Sequence, residues 1–395
     1  MSAGALRRSL TFVAIAAALA ACGPTAAINP NANSPESGAA ASSSSTANAT
    51  PSATSASLTV IYQAINSSDD SIHEAVIENG VINDHIVVND PSISFSLGFT
   101  SPSTIAVRKD APGSSTTEVG TVDINTGAYH KVYSMAISPT HEMLGPELSP
   151  DGAYAAFEDQ NGLSSDWFVL DMSTGQTRSL DLTHGGAVIA WTPSYLLFNS
   201  GSGLLEVDLA SGARSVVPGS SDYDIASPNG SHLAGAIYRN RGDPQWCLNT
   251  AVTGIPGGPE SVAAAGANSV YELLAVADTG DILLNQSVCG PGPQQAESPG
   301  TSSADLWRSG QVIQQFTASP TYLWANAKFI GDSSALMQRD TLTQENTPEG
   351  PGGVVTAAEL DLVELCGVSN CQPSTLRIAQ AQGTAAGYLY FAAMV

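Results

Sequence analysis

The sequence predicts an all-β chain made of a repeated four-stranded unit, closed into a β-propeller of about seven blades. Three observations carry this. A tight-turn phrase recurs ahead of short apolar runs. A second phrase, ending in Gly, recurs at hairpins further along each unit. No stretch sustains helical apolar periodicity.

The N-terminus is set apart from this fold. Arg7 and Arg8 precede a largely apolar run, Leu10 to Ala21, that is too short to span a bilayer comfortably. The run ends in Leu19-Ala20-Ala21-Cys22-Gly23. This is the pattern of a bacterial lipoprotein signal, with residues 1–21 removed and the Cys22 thiol accepting a diacylglyceryl group. An ordinary secretory signal with an incidental cysteine is the alternative. The Arg pair also faintly resembles a twin-arginine export signal, but its flanking residues match poorly. Residues 22–57 form the next segment, which is mostly Ala, Ser, Thr, Asn and Pro with one charge, Glu36. It has too little apolar surface to offset the entropy of ordering it, so a flexible tether is expected before the first strand at Leu58.

Residues 58–395 are expected to form the propeller. The whole chain has a net charge of −23, and removal of Arg7 and Arg8 with the signal makes it more acidic. Such a surface repels phosphate backbones and anionic lipid headgroups, which argues against nucleic-acid binding and leaves the N-terminal lipid as the sole membrane contact. Charged residues make up only 12% of the chain, while Gly, Pro, Ser and Thr are plentiful, as suits a turn-rich exported β protein.

The best copy of the repeat begins at Leu148. Ser149-Pro150-Asp151-Gly152 is a turn and Ala153–Phe157 an apolar run. After the turn Gln160-Asn161-Gly162 come the strand Asp166–Met172, the turn Ser173-Thr174-Gly175 and the strand Gln176–Leu180. Asp159 to Asp166 only faintly suggests a calcium loop, and a hairpin is the better reading. Thr121–Val132 and Glu206–Val217 share the pattern of Val169–Leu180, aligning Asp123, Asp171 and Asp208, and also Gly127, Gly175 and Gly212. The glycine supplies the positive φ of a tight turn, and the aspartate is expected to accept hydrogen bonds from turn amides. Ser227-Pro228-Asn229-Gly230 echoes the first turn, and Gly331-Asp332-Ser333-Ser334 is a degraded copy. Thr104–Val107, Tyr195–Phe198 and Leu273–Ala277 are read at the same phase. The spacing is irregular, roughly 37 to 50 residues, the range of a propeller blade.

These phrases resemble the WD40-like propeller repeat of the family that includes the periplasmic Tol-system propeller and the propeller domains of prolyl oligopeptidases. The resemblance covers about Ser92 to Arg339. It implies a strand order in which the Ser-Pro-Asp-Gly turn precedes an inner strand, and it implies little about activity. Gly387–Val395 falls where a further inner strand belongs, and Leu58–Ile65 is strand-like, so the two termini are expected to share one blade and remove the open sheet edges.

Chemistry-bearing motifs are scarce. There is no Gly-x-Ser-x-Gly elbow, no His-Glu-x-x-His, no phosphate-binding glycine loop and no dinucleotide fingerprint. His73, His85, His130, His141, His184 and His232 are scattered singly, and Asp69-Asp70 lies in a Ser-rich turn. No catalytic residue, metal site or cofactor is expected. Four cysteines remain beside Cys22, and in an exported protein they suggest two disulfides. Three pairings are possible. Cys366 and Cys371 look locally closed, which leaves Cys247 to pair with Cys289. The tryptophans, Trp167, Trp191, Trp246, Trp307 and Trp324, are read as packing between blades. Gln286–Ala304 and Asp340–Gly353 are read as long polar loops. The expected protein is an extracytoplasmic, lipid-anchored, non-catalytic binder or scaffold for an envelope protein or cell-wall component. The alternative is a propeller hydrolase or lyase with acidic residues near the central channel.

Overall fold

The structure, a computed structural model, describes residues 57–65, 71–111, 113–162, 164–182, 187–192, 194–199, 203–217, 223–238, 249–265, 269–288, 303–316, 322–347, 350–365, 374–382 and 388–394. Within them the strands form seven four-stranded antiparallel sheets, the blades of a propeller. Blade 1 joins the chain ends. Tyr388–Met394 is its first strand, followed by Leu58–Ile65, Ile72–Glu78 and Val81–Val88.

Blades 2 to 7 run in chain order. Their first strands are Ile93–Ser101, His141–Leu148, Ala187–Trp191, Ile225–Ala226, Ser269–Val276 and Tyr322–Ile330. Their second strands are Thr104–Lys109, Tyr154–Asn161, Tyr195–Asn199, Leu233–Tyr238, Ile282–Val288 and Ser334–Thr347. The third strands are Thr116–Asp123, Ser164–Asp171, Leu204–Asp208, Asn249–Gly254, Ser303–Arg308 and Gly350–Glu364. The outer strands are Tyr129–Ala136, Thr177–Ser179, Arg214–Val216, Ser261–Ala265, Gln311–Phe316 and Thr375–Gln382. The first strands of blades 1 and 2, 2 and 3, 4 and 5, 5 and 6, and 6 and 7 meet around the axis of the ring.

The second strand of each blade is covered on both faces, which is why it reads as an unbroken apolar run rather than an alternating one. Each contributes three buried residues: Val60-Ile61-Tyr62, Ile105-Ala106-Val107, Ala155-Ala156-Phe157, Leu196-Leu197-Phe198, Leu233-Ala234-Gly235, Ile282-Leu283-Leu284 and Ala335-Leu336-Met337. The middle residue faces the next blade, and the outer two face the preceding one. Ala156 packs with Leu196 and Phe198, and Leu283 with Ala335 and Met337. Leu336 of blade 7 packs with Val60 and Tyr62 of blade 1, and Ile61 with Ile105 and Val107 of blade 2. The core is therefore seven inter-blade clusters, and the one between blades 7 and 1 closes the ring.

The opening phrase of the repeat is a self-capping turn between first and second strands. Ser149 Oγ donates to Asp151 Oδ1 at 2.6 Å and accepts from the Tyr154 amide at 2.9 Å. Ser227 does the same with Asn229 Oδ1 at 3.0 Å and the His232 amide at 3.1 Å. The second phrase also behaves as expected. Asp171 Oδ1 accepts from the amides of Ser173 and Thr174, Asp123 from that of Thr126, and Asp208 from that of Ser211. The Ser173 and Ser211 hydrogen bonds hold the Asp171 and Asp208 carboxyls below their ordinary value.

Three expectations change. The strand after the Ser-Pro-Asp-Gly turn is the second of its blade, because a first strand such as His141–Leu148 lies inside it. Leu273–Ala277 is out of phase: it ends the first strand of blade 6, and Ile282–Val288, after the turn Ala277–Asp281, holds the equivalent place. Asp340–Gly353 is not a loop but the paired tip of a long hairpin, with Thr341 opposite Ala357 and Thr347 opposite Gly350. Its Pro and Gly content hid a register set by the strands beneath it. The pairing of the termini holds, with Val60 opposite Ala393. Cys22, the signal, the tether, Asp69-Asp70 and residues 289–302 lie outside the described residues.

Candidate functional site: the axial channel and its turn face

Register identifies one level of the channel in every blade: the first-strand residue opposite the middle residue of the buried triplet. Blade 3 places Glu147 there, opposite Ala156, and blade 7 places Lys328, opposite Leu336. The other five blades supply Ala392, Gly98, Ala190, Ile225 and Ala275. Among these, Ala392, Gly98, Ala190 and Ala275 are buried, whereas Glu147 and Lys328, an acid and a base on non-adjacent blades, are exposed.

Both side chains are solvent-exposed although they stand on innermost strands. Desolvation pushes the Glu147 carboxyl up to about 7 and lowers the Lys328 ammonium. Neither has a hydrogen bond or ion pair with another described residue. Two residue pairs along, blade 6 places Glu272 opposite Asn285, and blade 7 places Asn326 opposite Gln338. Burial raises the Glu272 carboxyl, while a hydrogen bond from Asn285 Nδ2 at 3.3 Å opposes the shift.

The residue following each buried triplet is polar in six blades: Gln63, Arg108, Glu158, Asn199, Asn285 and Gln338. Three of these are amides that reach across to the next blade. Gln63 Nε2 donates to Ile93 O at 3.3 Å and its Oε1 accepts from the Ser96 amide at 3.0 Å. Asn199 Nδ2 donates to Tyr223 O at 3.5 Å, and Asn285 Nδ2 to Trp324 O at 2.7 Å. These amides hold the channel wall. They could have been found by aligning the residue after each apolar triplet.

A second feature lies on the face bearing the turns between first and second strands. Between blades 4 and 5 is a groove of about 350 Å³, lined by Tyr195, Leu197, Glu206, Asn229, Ser231 and Pro256 among others. Tyr195 is 37% exposed there, and Ile255 beside Pro256 is 48% exposed.

Most sequence-selected residues have structural roles. Ser71, His73 and Asp84 do form a hydroxyl–imidazole–carboxylate series. Ser71 Oγ is 2.8 Å from His73 Nε2, and His73 Nδ1 is 3.2 Å from Asp84 Oδ2, an order that matches a hydrolase triad. However, Ser71 is fully buried, so no carbonyl carbon reaches its oxygen. Tyr62 stacks on His73 and donates to Asp84, and the set ties three strands of blade 1 together. His141 pairs with Asp159 and His85 with Glu74. Trp167 packs edge-on against Phe198, and Trp324 against Phe316, across blade boundaries, while Trp307 meets Tyr271 within its own blade. Among the described residues no group of three His, Cys, Asp or Glu is placed to hold a metal. Cys247, Cys289, Cys366, Cys371, Trp246 and His184 lie outside the described residues.

These features define a seven-bladed β-propeller. No model of a protein family and no curated protein matches the chain. Among solved structures, the acylaminoacyl peptidase of Pyrococcus horikoshii is similar, with a TM-score of 0.52 and 10% identity over 81% of this chain and 50% of that one. An acylaminoacyl peptidase in complex with Z-Gly-Gly-Phe-chloromethyl ketone gives 0.50, also with 10% identity over 81% of this chain and 50% of that one. TolB from Acinetobacter baumannii gives 0.39 and 14%, over 66% of each chain. The chain thus spans half the length of the peptidases and 66% of TolB. The likeness is one of fold, and at that level the resemblance read from the repeats is met.

Proposed function

We propose that the protein is a lipid-anchored, extracytoplasmic propeller that binds another envelope protein through the turn face of blades 4 and 5, without covalent chemistry. The groove at Tyr195 carries this reading: an exposed aromatic, a proline and hydrogen-bonding side chains converge on a rigid scaffold, as binding loops do. The net charge of −23 favours a partner with a basic contact surface. The lipoprotein pattern around Cys22 supports the location.

The test is crosslinked affinity purification from the native cells, read by mass spectrometry, with a Cys22→Ala secreted form as control. One envelope protein enriched with the anchored form, and lost on Tyr195→Ala, is the expected result. Recovery of cell-wall glycan alone, or of nothing above the control, overturns it.

A second reading, a channel hydrolase or lyase, is favoured by Glu147 and Glu272. The Glu147 carboxyl, pushed up to about 7, is suited to general-acid work, and burial raises that of Glu272 as well. Its test is turnover of ester and glycoside substrates by the intact protein, abolished by Glu147→Gln.

A further inference from the structure

We propose that the groove between blades 4 and 5 receives an arginine side chain from an extended segment of the partner, with its guanidinium on Glu206 and its stem across the ring of Tyr195. This rests on the reading of that groove as the docking face, and it names the chemistry the face selects.

The walls of the groove are set before any partner arrives. On the blade 4 side, Thr192 Oγ1 accepts from the Tyr195 amide at 2.9 Å, and the Thr192 amide donates to Tyr195 O at 2.8 Å. On the blade 5 side, Asn229 Oδ1 accepts from the Ser231 amide at 2.8 Å, and the Asn229 amide donates to Asp278 Oδ1 of blade 6 at 3.0 Å. A Cβ on Gly230 would meet Thr192 Cγ2 at 2.6 Å, so the two turns touch where only glycine fits. Gly257, with a φ of 72°, completes the turn that presents Ile255 and Pro256. A site fixed in this way needs little ordering on binding.

Charge decides what fits. Across the second and third strands of blade 4, Tyr195 pairs with Asp208 and Leu197 with Glu206. Tyr195 and Glu206 are therefore diagonal neighbours on one face of the sheet, about 7–8 Å apart at the backbone. Both line the groove. Asp208 is occupied by its own turn, accepting from the Ser211 amide at 2.6 Å and the Ser211 hydroxyl at 2.7 Å. Glu206 is half-buried and makes no hydrogen bond or ion pair with another described residue. Among the described residues, no lysine, arginine or histidine lines the groove. The arginines nearby in the fold are committed elsewhere: Arg178 donates to the carbonyls of Leu209 and Ala210, and Arg214 to that of Asp181.

The groove thus offers one unmatched carboxylate beside an aromatic ring and a proline. Its complement is a cation on a long apolar stem. Arginine meets each part: its planar guanidinium gives a carboxylate two N–H groups at once, stacks on a tyrosine ring, and is more weakly hydrated than an ammonium.

The experiment is a ligand-observed NMR titration of the full-length lipidated protein in non-ionic detergent. The probes are acetylated, amidated pentapeptides with two glycines on either side of arginine, lysine or citrulline. Citrulline keeps the shape of arginine without its charge. Lysine keeps the charge, so attraction to an acidic surface at large treats lysine and arginine alike. The arginine probe should bind about tenfold more tightly than the citrulline probe, and more tightly than the lysine probe. Glu206→Gln should bring the arginine and citrulline probes to the same affinity. This variant keeps the size of an unpaired, half-exposed side chain, so folding is not threatened, and the citrulline probe tests the same contact on the unaltered protein. The inference is overturned if citrulline or lysine binds as tightly as arginine, or if Glu206→Gln leaves the preference intact. The docking-face reading fails separately. A partner recovered from cells that is lost on Tyr195→Ala but retained on Glu206→Gln keeps that face and overturns the arginine contact. Arginine-selective peptide binding with no partner recovered keeps the contact and overturns the envelope-partner reading.

Discussion

Asn285 donates its Nδ2 hydrogen to the backbone carbonyl of Trp324 at 2.7 Å, from the second strand of blade 6 to the first strand of blade 7. Gln63 and Asn199 stand at the same position of their blades and make the same kind of reach. First strands have only one in-sheet neighbour, so backbone groups at their irregular points need partners from elsewhere. The first strand of blade 7 shifts register between Trp324 and Asn326, and that of blade 2 between Ile93 and Phe95. An amide from the preceding blade supplies the missing partner at both places.

Asn285→Leu should therefore destabilise the protein by about 1–3 kcal/mol, because a buried carbonyl loses its donor. Gln63→Leu should do more harm, since it removes both an acceptor and a donor. Urea unfolding followed by tryptophan fluorescence measures both, and equal stability of the variants and the parent excludes the clamp.

The hairpin glycines offer a graded test. Gly175 and Gly212 share nearly the same positive φ, 70° and 73°. A Cβ on Gly175 meets the Val132 carbonyl oxygen of the preceding blade at 2.5 Å, whereas on Gly212 its nearest neighbour is the Arg178 guanidinium at 3.6 Å. Gly212→Ala should cost about 1 kcal/mol of backbone strain. Gly175→Ala should cost clearly more, because the outer strand of blade 2 must also move. The order of the two melting temperatures is the readout.

Glu147 makes the stability depend on pH. Its carboxyl lies at about 7 in the folded chain against an ordinary 4.5. The folded state therefore holds a proton that the unfolded state has lost between those values, and stability falls as pH rises through the window. Glu147→Gln should be more stable than the parent at pH 8 and no more stable at pH 4. The gain should be about 1 kcal/mol, less than the full shift implies because water reaches the side chain. Melting curves at the two pH values decide it, and the same gain at both contradicts the assignment.

Ser71 should stay unlabelled by a fluorophosphonate probe, despite its contact with His73. Burial withholds the oxygen from any electrophile in the native state. Adduct formation at Ser71, located by peptide mass spectrometry, would make this series a working nucleophile.

Much of the fold is legible in the residues. Ser149-Pro150-Asp151-Gly152 and Val169-Leu170-Asp171 with Gly175 announce their turns, because the side chains of Ser149 and Asp171 bond to backbone only a few residues away. The closing strand was equally readable: an apolar segment left over at one end and another at the other. The phase of blade 6 was not, because its turn, Ala277–Asp281, lacks the Ser-Pro pair and Leu273–Ala277 is as apolar as Ile282–Val288. The tip of the last hairpin was hidden because Gly and Pro are turn formers, while cross-strand pairing acts over a distance no local phrase encodes.

The candidate site was far less visible. Glu147 follows Pro146 in an unremarkable phrase, and Lys328 lies between Ala327 and Phe329. They stand at equivalent positions of their blades only through the strand pairing, Glu147 opposite Ala156 and Lys328 opposite Leu336. What the sequence by itself determined about this protein is its repeating unit, its self-capped turns and its doubly covered second strands, all consequences of interactions within a few residues or of burial on both faces. Only the tertiary structure decided which charged residues stand unpaired around one axis, since seven strands distant in the chain meet there by ring closure.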